Sequence, residues 1–281
     1  MSEKIIVGVI DANASRRAVD WAASRAIARR QRLELMTVIG GAIGAVGEAA
    51  VIASARDAAA EALRAEAERI ARDGLVVEVR VESGNPVASL ATASKDAALL
   101  VIGSDYRGPG SGPARGVHGI RITASAHCPV VVVPDAEPAP GRHGIVVGVD
   151  GSPASEGAIA FAAAEADRLD EPLIAVTVWT PVDAPRNAIM VNMSEYRHAM
   201  EEAARQSLAV SLAGLRRAYP DLVIEERIAE GYPSAVINGL AEQAVLAVVG
   251  THGRGALRRF LLGSISHEVL QRLATVTAVV R

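Results

Sequence analysis

An internal repeat limits what this chain can fold into more than any other feature. Residues 5–15 read IIVGVIDANAS, and residues 145–155 read IVVGVDGSPAS. Residues 99–104 (LLVIGS) return as 246–251 (LAVVGT), and the valine run at 130–133 returns as the valine-rich stretch 276–280. The matches keep their order and spacing along 281 residues, a length that suits two domains of about 140 residues. Between the halves, residues 134–143 read PDAEPAPGRH. Proline removes backbone donors and resists helix, so this segment reads as a linker. The expected domains are therefore 1–138 and 139–281.

Each half alternates apolar runs with helical patterns. In the second half, strands are expected over 145–149, 173–179, 222–228, 245–249 and 276–280. Helices are expected over 154–170, 194–218, 233–243 and 264–273. The runs at 145–149 and 245–249 are continuously apolar, the mark of strands buried on both faces. Pro233 stands early in its helix, where a missing N–H costs nothing. The first half follows the same order, with a long helix over 53–73 and Gly74 expected at its C-terminal cap. The fold class is α/β: two tandem Rossmann-like open parallel-sheet domains with helices on both faces. Ligands of such sheets bind beyond the strand C-termini, where the strand order reverses.

Composition narrows the function. Half of the residues are hydrophobic but only 3% are aromatic, so the cores are built from Val, Ile, Leu and Ala. A stacking platform for single-stranded nucleic acid is not expected. A net charge of −3 offers no broad basic field, so no nucleic-acid partner is expected either. Cys128 is the single cysteine; it can form no intrachain disulfide and belongs to no metal cluster. No apolar stretch reaches the length of a membrane span, and the opening residues carry no secretory pattern. A cytoplasmic protein without a membrane partner is the expectation.

The segment 245–266, VLAVVGTHGRGALRRFLLGSIS, carries the chemistry. It reads as a buried strand, a glycine-punctuated loop and a helix opening near Ser264. Gly250 and Gly253 can adopt positive φ and let backbone N–H groups approach a ligand. Gly263 and Ser264 stand at a helix start, where unpaired N–H groups and the dipole favour an anion. Other readings stay open here. Ser264 could serve only as a helix cap, Asp150 before Gly151 only as a turn residue, and His252 only as a loop residue. Arg254, Arg258 and Arg259 could reach phosphates or form a solvated face.

The spacing Gly250, two residues, Gly253, nine residues, Gly263, Ser264 resembles the nucleotide-binding pattern of the universal stress protein family. Asp150 at the end of the half's first strand and the valine-rich final strand match as well, and the resemblance spans both repeats. It implies an adenine nucleotide alpha-hydrolase-like version of the fold, with ATP as ligand and Mg2+ accompanying a triphosphate. It also implies roles. Asp150, with Gly148 and Val149 before it, meets the ribose or adenine side. The backbone at Val178 holds the adenine. Gly250, His252, Gly253, Arg254, Gly263, Ser264 and Ile265 line the ribose and phosphates. In that family the last strands pair between domains, which here implies an intrachain pseudo-dimer through Val130–Val133 and Val276–Val280, and a homodimer of chains.

The first repeat departs from the pattern. Counted from Gly103, Tyr106 stands where Gly253 stands. Gly116 keeps the glycine of the helix start, and Val117 replaces the Ser264 hydroxyl. Ile10 stands opposite Asp150 without a gap; a one-residue deletion would bring Asp11 there instead. The extra glycines 108, 110 and 112 suggest a mobile loop. The first repeat is expected to bind nucleotide weakly or not at all. The chain as a whole reads as an ATP-binding regulatory or stress-response protein. A slow ATPase or self-phosphorylating enzyme, and a scaffold that binds nothing, stay open as alternatives. Walker A, G-x-S-x-G and H-E-x-x-H signatures are all absent.

Overall fold

The two repeats bury the same positions. In the first, Ala18, Ala22 and Ala26 are fully buried; in the second, Ala158, Ala162 and Ala166 are. Small residues at i, i+4 and i+8 form one stripe of a helix and let it lie close against a sheet. The computed structural model of the chain describes residues 4–10, 12–40, 48–104, 117–136, 138–181, 193–253 and 262–281. It divides into two compact units, Met1–Glu137 and Pro138–Arg281.

The first unit runs β1 (Lys4–Gly8), α1 (Ala12–Arg29), β2 (Arg32–Ile39), α2 (Glu48–Ile70), β3 (Val77–Ser83), α3 (Pro86–Ala93), β4 (Leu99–Ser104), α4 (Val117–Ser125) and β5 (Val130–Pro134). Its strands lie in the order β3-β2-β1-β4-β5, each pair parallel. The second unit runs β6 (Ile145–Gly148), α5 (Pro153–Leu169), β7 (Leu173–Trp179), α6 (Met193–Leu212), α7 (Leu215–Ala218), β8 (Ile224–Glu230), α8 (Pro233–Ala241), β9 (Leu246–Gly250), α9 (Ser264–Arg272) and β10 (Val276–Val280). Its order is β10-β9-β6-β7-β8, again parallel throughout. Both units are the Rossmann-like parallel-sheet fold expected from the alternation. In each, the chain leaves the first strand toward one side and returns on the other. A crevice therefore opens between β6 and β9, and its counterpart between β1 and β4.

Some local expectations are corrected. The helix expected over 194–218 is two helices, because the chain turns at Ala213–Gly214. The Ala213 N–H bonds back to the Val210 carbonyl, a tightening that ends α6. A restart at Leu215 then buries that side chain, as Leu208 and Leu212 are buried on α6. The strand expected from Leu222 begins at Ile224, because Tyr219 to Leu222 close a turn. Gly74 does not cap α2, which ends at Ile70. It takes φ +83° in a turn closed from the Leu75 N–H to the Arg72 carbonyl, a position that favours glycine. Among the described residues, no helix is long and apolar enough to cross a membrane.

Candidate functional site

The crevice of the second unit holds a cavity of about 510 Å³. Gly148, Val149, Asp150, Val178, Gly250, His252, Gly253, Gly263, Ser264 and Ile265 all line it. Arg254, with Arg258 and Arg259, lies outside the described residues. Sequence reasoning did not single out Ser155, Val176, Pro233, Ile237, Val249, Thr251 and Ser266, which complete the lining. Val176, Val249 and Ile237 look like any core residue in the sequence, and only the strand order brings them to this crevice. The lining is of two chemical kinds. Val176, Val178, Pro233 and Ile237 make an apolar wall, while Asp150, His252 and the turn Gly263–Ser266 bring polar groups.

The loop after β6 is fixed by its own residues. Gly151 takes φ +73°, and Asp150 Oδ1 accepts a hydrogen bond from the Ser152 N–H at 2.9 Å. Ser152 then caps α5, its hydroxyl accepting from the Ser155 N–H, and Pro153 follows at the first helical position. Asp150 is thus a turn residue and a cavity residue at once.

The glycines after β9 work by closeness rather than by unusual φ. Neither Gly250, Gly253 nor Gly263 has positive φ, which corrects the expectation for the first two. A Cβ on Gly253 would lie 2.6 Å from Asp150 Oδ2, and one on Gly250 would lie 3.0 Å from the Ala154 backbone. Both glycines let a neighbour approach where a side chain would stand: the Asp150 carboxylate at Gly253 and the Ala154 backbone at Gly250. The loop is pinned at its neck, where the Thr251 carbonyl accepts from the Gly263 N–H at 2.8 Å and from Ser266 Oγ at 3.1 Å.

Helix α9 begins with an open N-terminus. Gly263 is its N-cap, and no side chain caps it. The first intrahelical bond runs from the His267 N–H to the Gly263 carbonyl. The N–H groups of Ser264, Ile265 and Ser266 therefore precede the helical ladder, on residues that line the cavity. Ser264 is the first helical residue and not the cap. His252 Nε2 is buried and meets no hydrogen-bond partner among the described residues. A buried polar atom left in that state is costly unless something enters to pair with it.

The corresponding place in the first unit is built differently. The Val9 N–H bonds to the Met36 carbonyl as the Val149 N–H bonds to Val176, each at 2.8 Å. Beyond the loop, Ser15 and Ser155 are both 3% exposed, and the buried Ala18, Ala22 and Ala26 match Ala158, Ala162 and Ala166 without a change of offset. The ungapped register therefore holds, and Ile10, 71% exposed, stands opposite Asp150. Close packing at the first strand's end is common to both units, where a Cβ on Gly8 would meet Ile102 and Leu90 at 3.1 Å and one on Gly148 would meet Ile237 at 2.8 Å. Met36 and Ile102 are bulkier than their counterparts Val176 and Val249. Asp11, Tyr106, Gly116 and the glycines at 108, 110 and 112 lie outside the described residues; Val117 opens α4.

Comparison with known proteins agrees with this architecture. The sequence model of the universal stress protein family matches the chain twice, over residues 1–134 and 141–281. A universal stress protein of Mycolicibacterium smegmatis is 33% identical over 289 residues, 99% of this chain and 96% of that protein. One of Mycobacterium tuberculosis is 32% identical over 293 residues, with the same coverage. Among solved structures, a universal stress protein from Archaeoglobus fulgidus superposes with a TM-score of 0.72 at 18% identity, covering 100% of this chain and 99% of that one.

Proposed function

The chain belongs to the universal stress protein family, and from that premise we propose that its second unit binds an adenine nucleotide, with ATP the leading ligand, and acts as a nucleotide-dependent regulatory protein in the stress response. The observation that carries this reading is one cavity lined both by an apolar wall and by an open helix start. The apolar wall of Val176, Val178 and Ile237 suits a purine. The uncapped start of α9 suits phosphate, because its N–H groups and dipole favour negative charge. Asp150 follows β6, the strand between β7 and β9, and offers a carboxylate to ribose hydroxyls. His252 Nε2, buried and without a hydrogen-bond partner among the described residues, fits a bound ligand. Mg2+ would travel with a triphosphate and neutralise its charge. The output is a change of conformation or association, and no turnover is required.

The first unit is the non-binding member of the pair. Its apolar Ile10 and the bulk of Met36 and Ile102 argue against a nucleotide there. Calorimetry with ATP on the chain stripped of any co-purified nucleotide tests both statements, beside a Gly263→Asp, Ser264→Ala double variant. One site per chain, lost in the variant, is expected. No binding would sink the nucleotide reading, and two sites would overturn the assignment of the first unit.

The same reading extends to assembly. The outer strands β3 and β8 carry Glu78, Arg80 and Glu82, and Glu225, Glu226 and Arg227, charges that discourage strand addition. At the other end of each unit's strand order, Val130–Val133 and Val276–Val280 carry no charge, which favours their pairing as an intrachain pseudo-dimer. A homodimer of chains would then form through another face. Hydrogen exchange decides the first point. Paired strands keep every amide slow, whereas free edges exchange alternate amides quickly. Light scattering decides the second.

A further inference from the structure

The two units start the helix after their third outer strand in different ways. In the first, Asn85 is the N-cap of α3, and its side chain accepts from the Val87 and Ala88 N–H groups at 2.9 and 3.2 Å. In the second, Tyr232 holds the same position before α8 with nearly the same backbone angles, and makes no side-chain cap. Its hydroxyl, with that of Ser234, bonds to another helix. Glu268 of α9 accepts from Tyr232 Oη at 3.0 Å with one carboxylate oxygen. With the other it accepts from Ser234 Oγ at 2.5 Å. The first unit has nothing of the kind, since Asn85, Val87 and Arg121 stand where Tyr232, Ser234 and Glu268 stand.

This clasp lies beside the cavity. Pro233, between its two hydroxyl residues, lines the cavity, as does Ile237 one turn further along α8. Ile265 lines it from α9, and Glu268 follows three residues later on the same helical face. The carboxylate thus joins the start of α8, which carries the apolar wall, to the second turn of α9, whose first turn carries the open N–H groups. Ser234 is 4% exposed, so its arm is shielded from water and held more firmly than a surface contact.

We propose that Glu268 is a positioning residue for ligand binding: by clasping Tyr232 and Ser234 it fixes the separation of the α8 and α9 walls of the second unit's cavity. The proposal rests on the nucleotide reading of that cavity. A local cap suffices in the unit with the bulkier counterpart site, and a tie between helices appears where the cavity is.

The test uses the full chain with Glu268→Ala, Glu268→Gln, Ser234→Ala and Tyr232→Phe. Amide hydrogen exchange without nucleotide reads the clasp, and ATP calorimetry reads its consequence. Glu268→Ala is expected to speed exchange in the first turns of α8 and α9 and to weaken ATP binding by about tenfold, the scale of one lost hydrogen bond to a charged group. Glu268→Gln keeps the length and an accepting oxygen, and is expected to restore most of the affinity. Should Glu268→Ala not fold, Ser234→Ala removes the buried arm alone and is expected to show the same two effects at smaller size. A purely structural residue would lower the melting temperature and leave the affinity of the folded chain as it was. Parent-like affinity in the folded Ala variants, or unchanged exchange in α8 and α9, overturns the proposal. If the parent chain binds no ATP the nucleotide reading falls, and the exchange measurement still decides whether Glu268 sets the two helices.

Discussion

A methyl group on Gly253 would press to within 2.6 Å of Asp150 Oδ2, although the backbone there has no positive φ to forbid it. Gly253→Ala should therefore act only through that carboxylate. It is expected to weaken ATP binding by about tenfold, roughly 1.4 kcal/mol, and to add little when Asp150→Ala is already present, because contacting residues are not additive. Calorimetry on the four proteins of the cycle checks this; full additivity would show that the contact does not matter. Tyr232 gives a second residue-scale test. Its hydroxyl donates to Glu268, and a phenolate would lose that bond and face a like charge, so its pKa is raised above the usual 10.0. A raised folded-state pKa means that the contribution to stability is present in full below the unfolded value and fades as pH rises through the folded one. Ultraviolet titration of the phenolates should show a late-ionising tyrosine that Tyr232→Phe removes and Glu268→Gln returns toward normal. Spacing alone singled out Asp150, Gly263 and Ser264, and the fold brings all three to one cavity. The purpose of the glycines was not legible. Close approach and positive φ look alike in a sequence, and Gly250 and Gly253 serve the first.

Helices α1 and α5 end in the same motif, and it yields the element-scale prediction. The Gln31 N–H bonds to the Ala26 carbonyl as the Glu171 N–H bonds to Ala166. Arg30 and Asp170 turn left-handed, at φ 51° and 55°. That conformation costs an L-residue about 1–2 kcal/mol, and glycine, the usual occupant, avoids the cost. Arg30 is exposed. Arg30→Gly is expected to stabilise the first unit by about 0.5–1 kcal/mol after the added chain entropy of glycine is deducted. A higher urea midpoint at unchanged slope would show it; a lower midpoint would mean that the arginine side chain contributes more than its backbone costs. The strands were the most legible elements, because runs such as Leu99–Ile102 and Leu246–Val249 have little alternative to a buried parallel sheet. Long polar helices were less so. Nothing in the charge pattern of 194–218 marks the turn at Ala213–Gly214, which follows from where Leu212 and Leu215 must be buried. The clasp through Glu268 was invisible for the same kind of reason, since its three residues come from two helices that only the fold brings together.

At the scale of the molecule, one family pattern is written twice and kept fully only once. The sheet order, the buried alanine stripes and the left-handed helix ends recur in both units. The carboxylate of Asp150, the Glu268 clasp and the smaller side chains around the crevice belong to the second. The two units thus share their packing and differ in the residues at the crevice. This asymmetry predicts where a nucleotide is felt. A ligand that binds only the folded state stabilises it by about 2.7 kcal/mol at a concentration a hundred times its Kd. That gain should appear in the unit that binds. Hydrogen exchange with saturating ATP is expected to slow amides at the ends of β6 and β9 and in the first turns of α8 and α9, and to leave β1, β4 and α3 at their ligand-free rates. Equal slowing in both units would mean either a second site or a tight coupling between the two, and the calorimetric stoichiometry separates these. Two sites per chain would return the first unit to function, while a single site with protection in both would make the first unit the place where the signal is delivered.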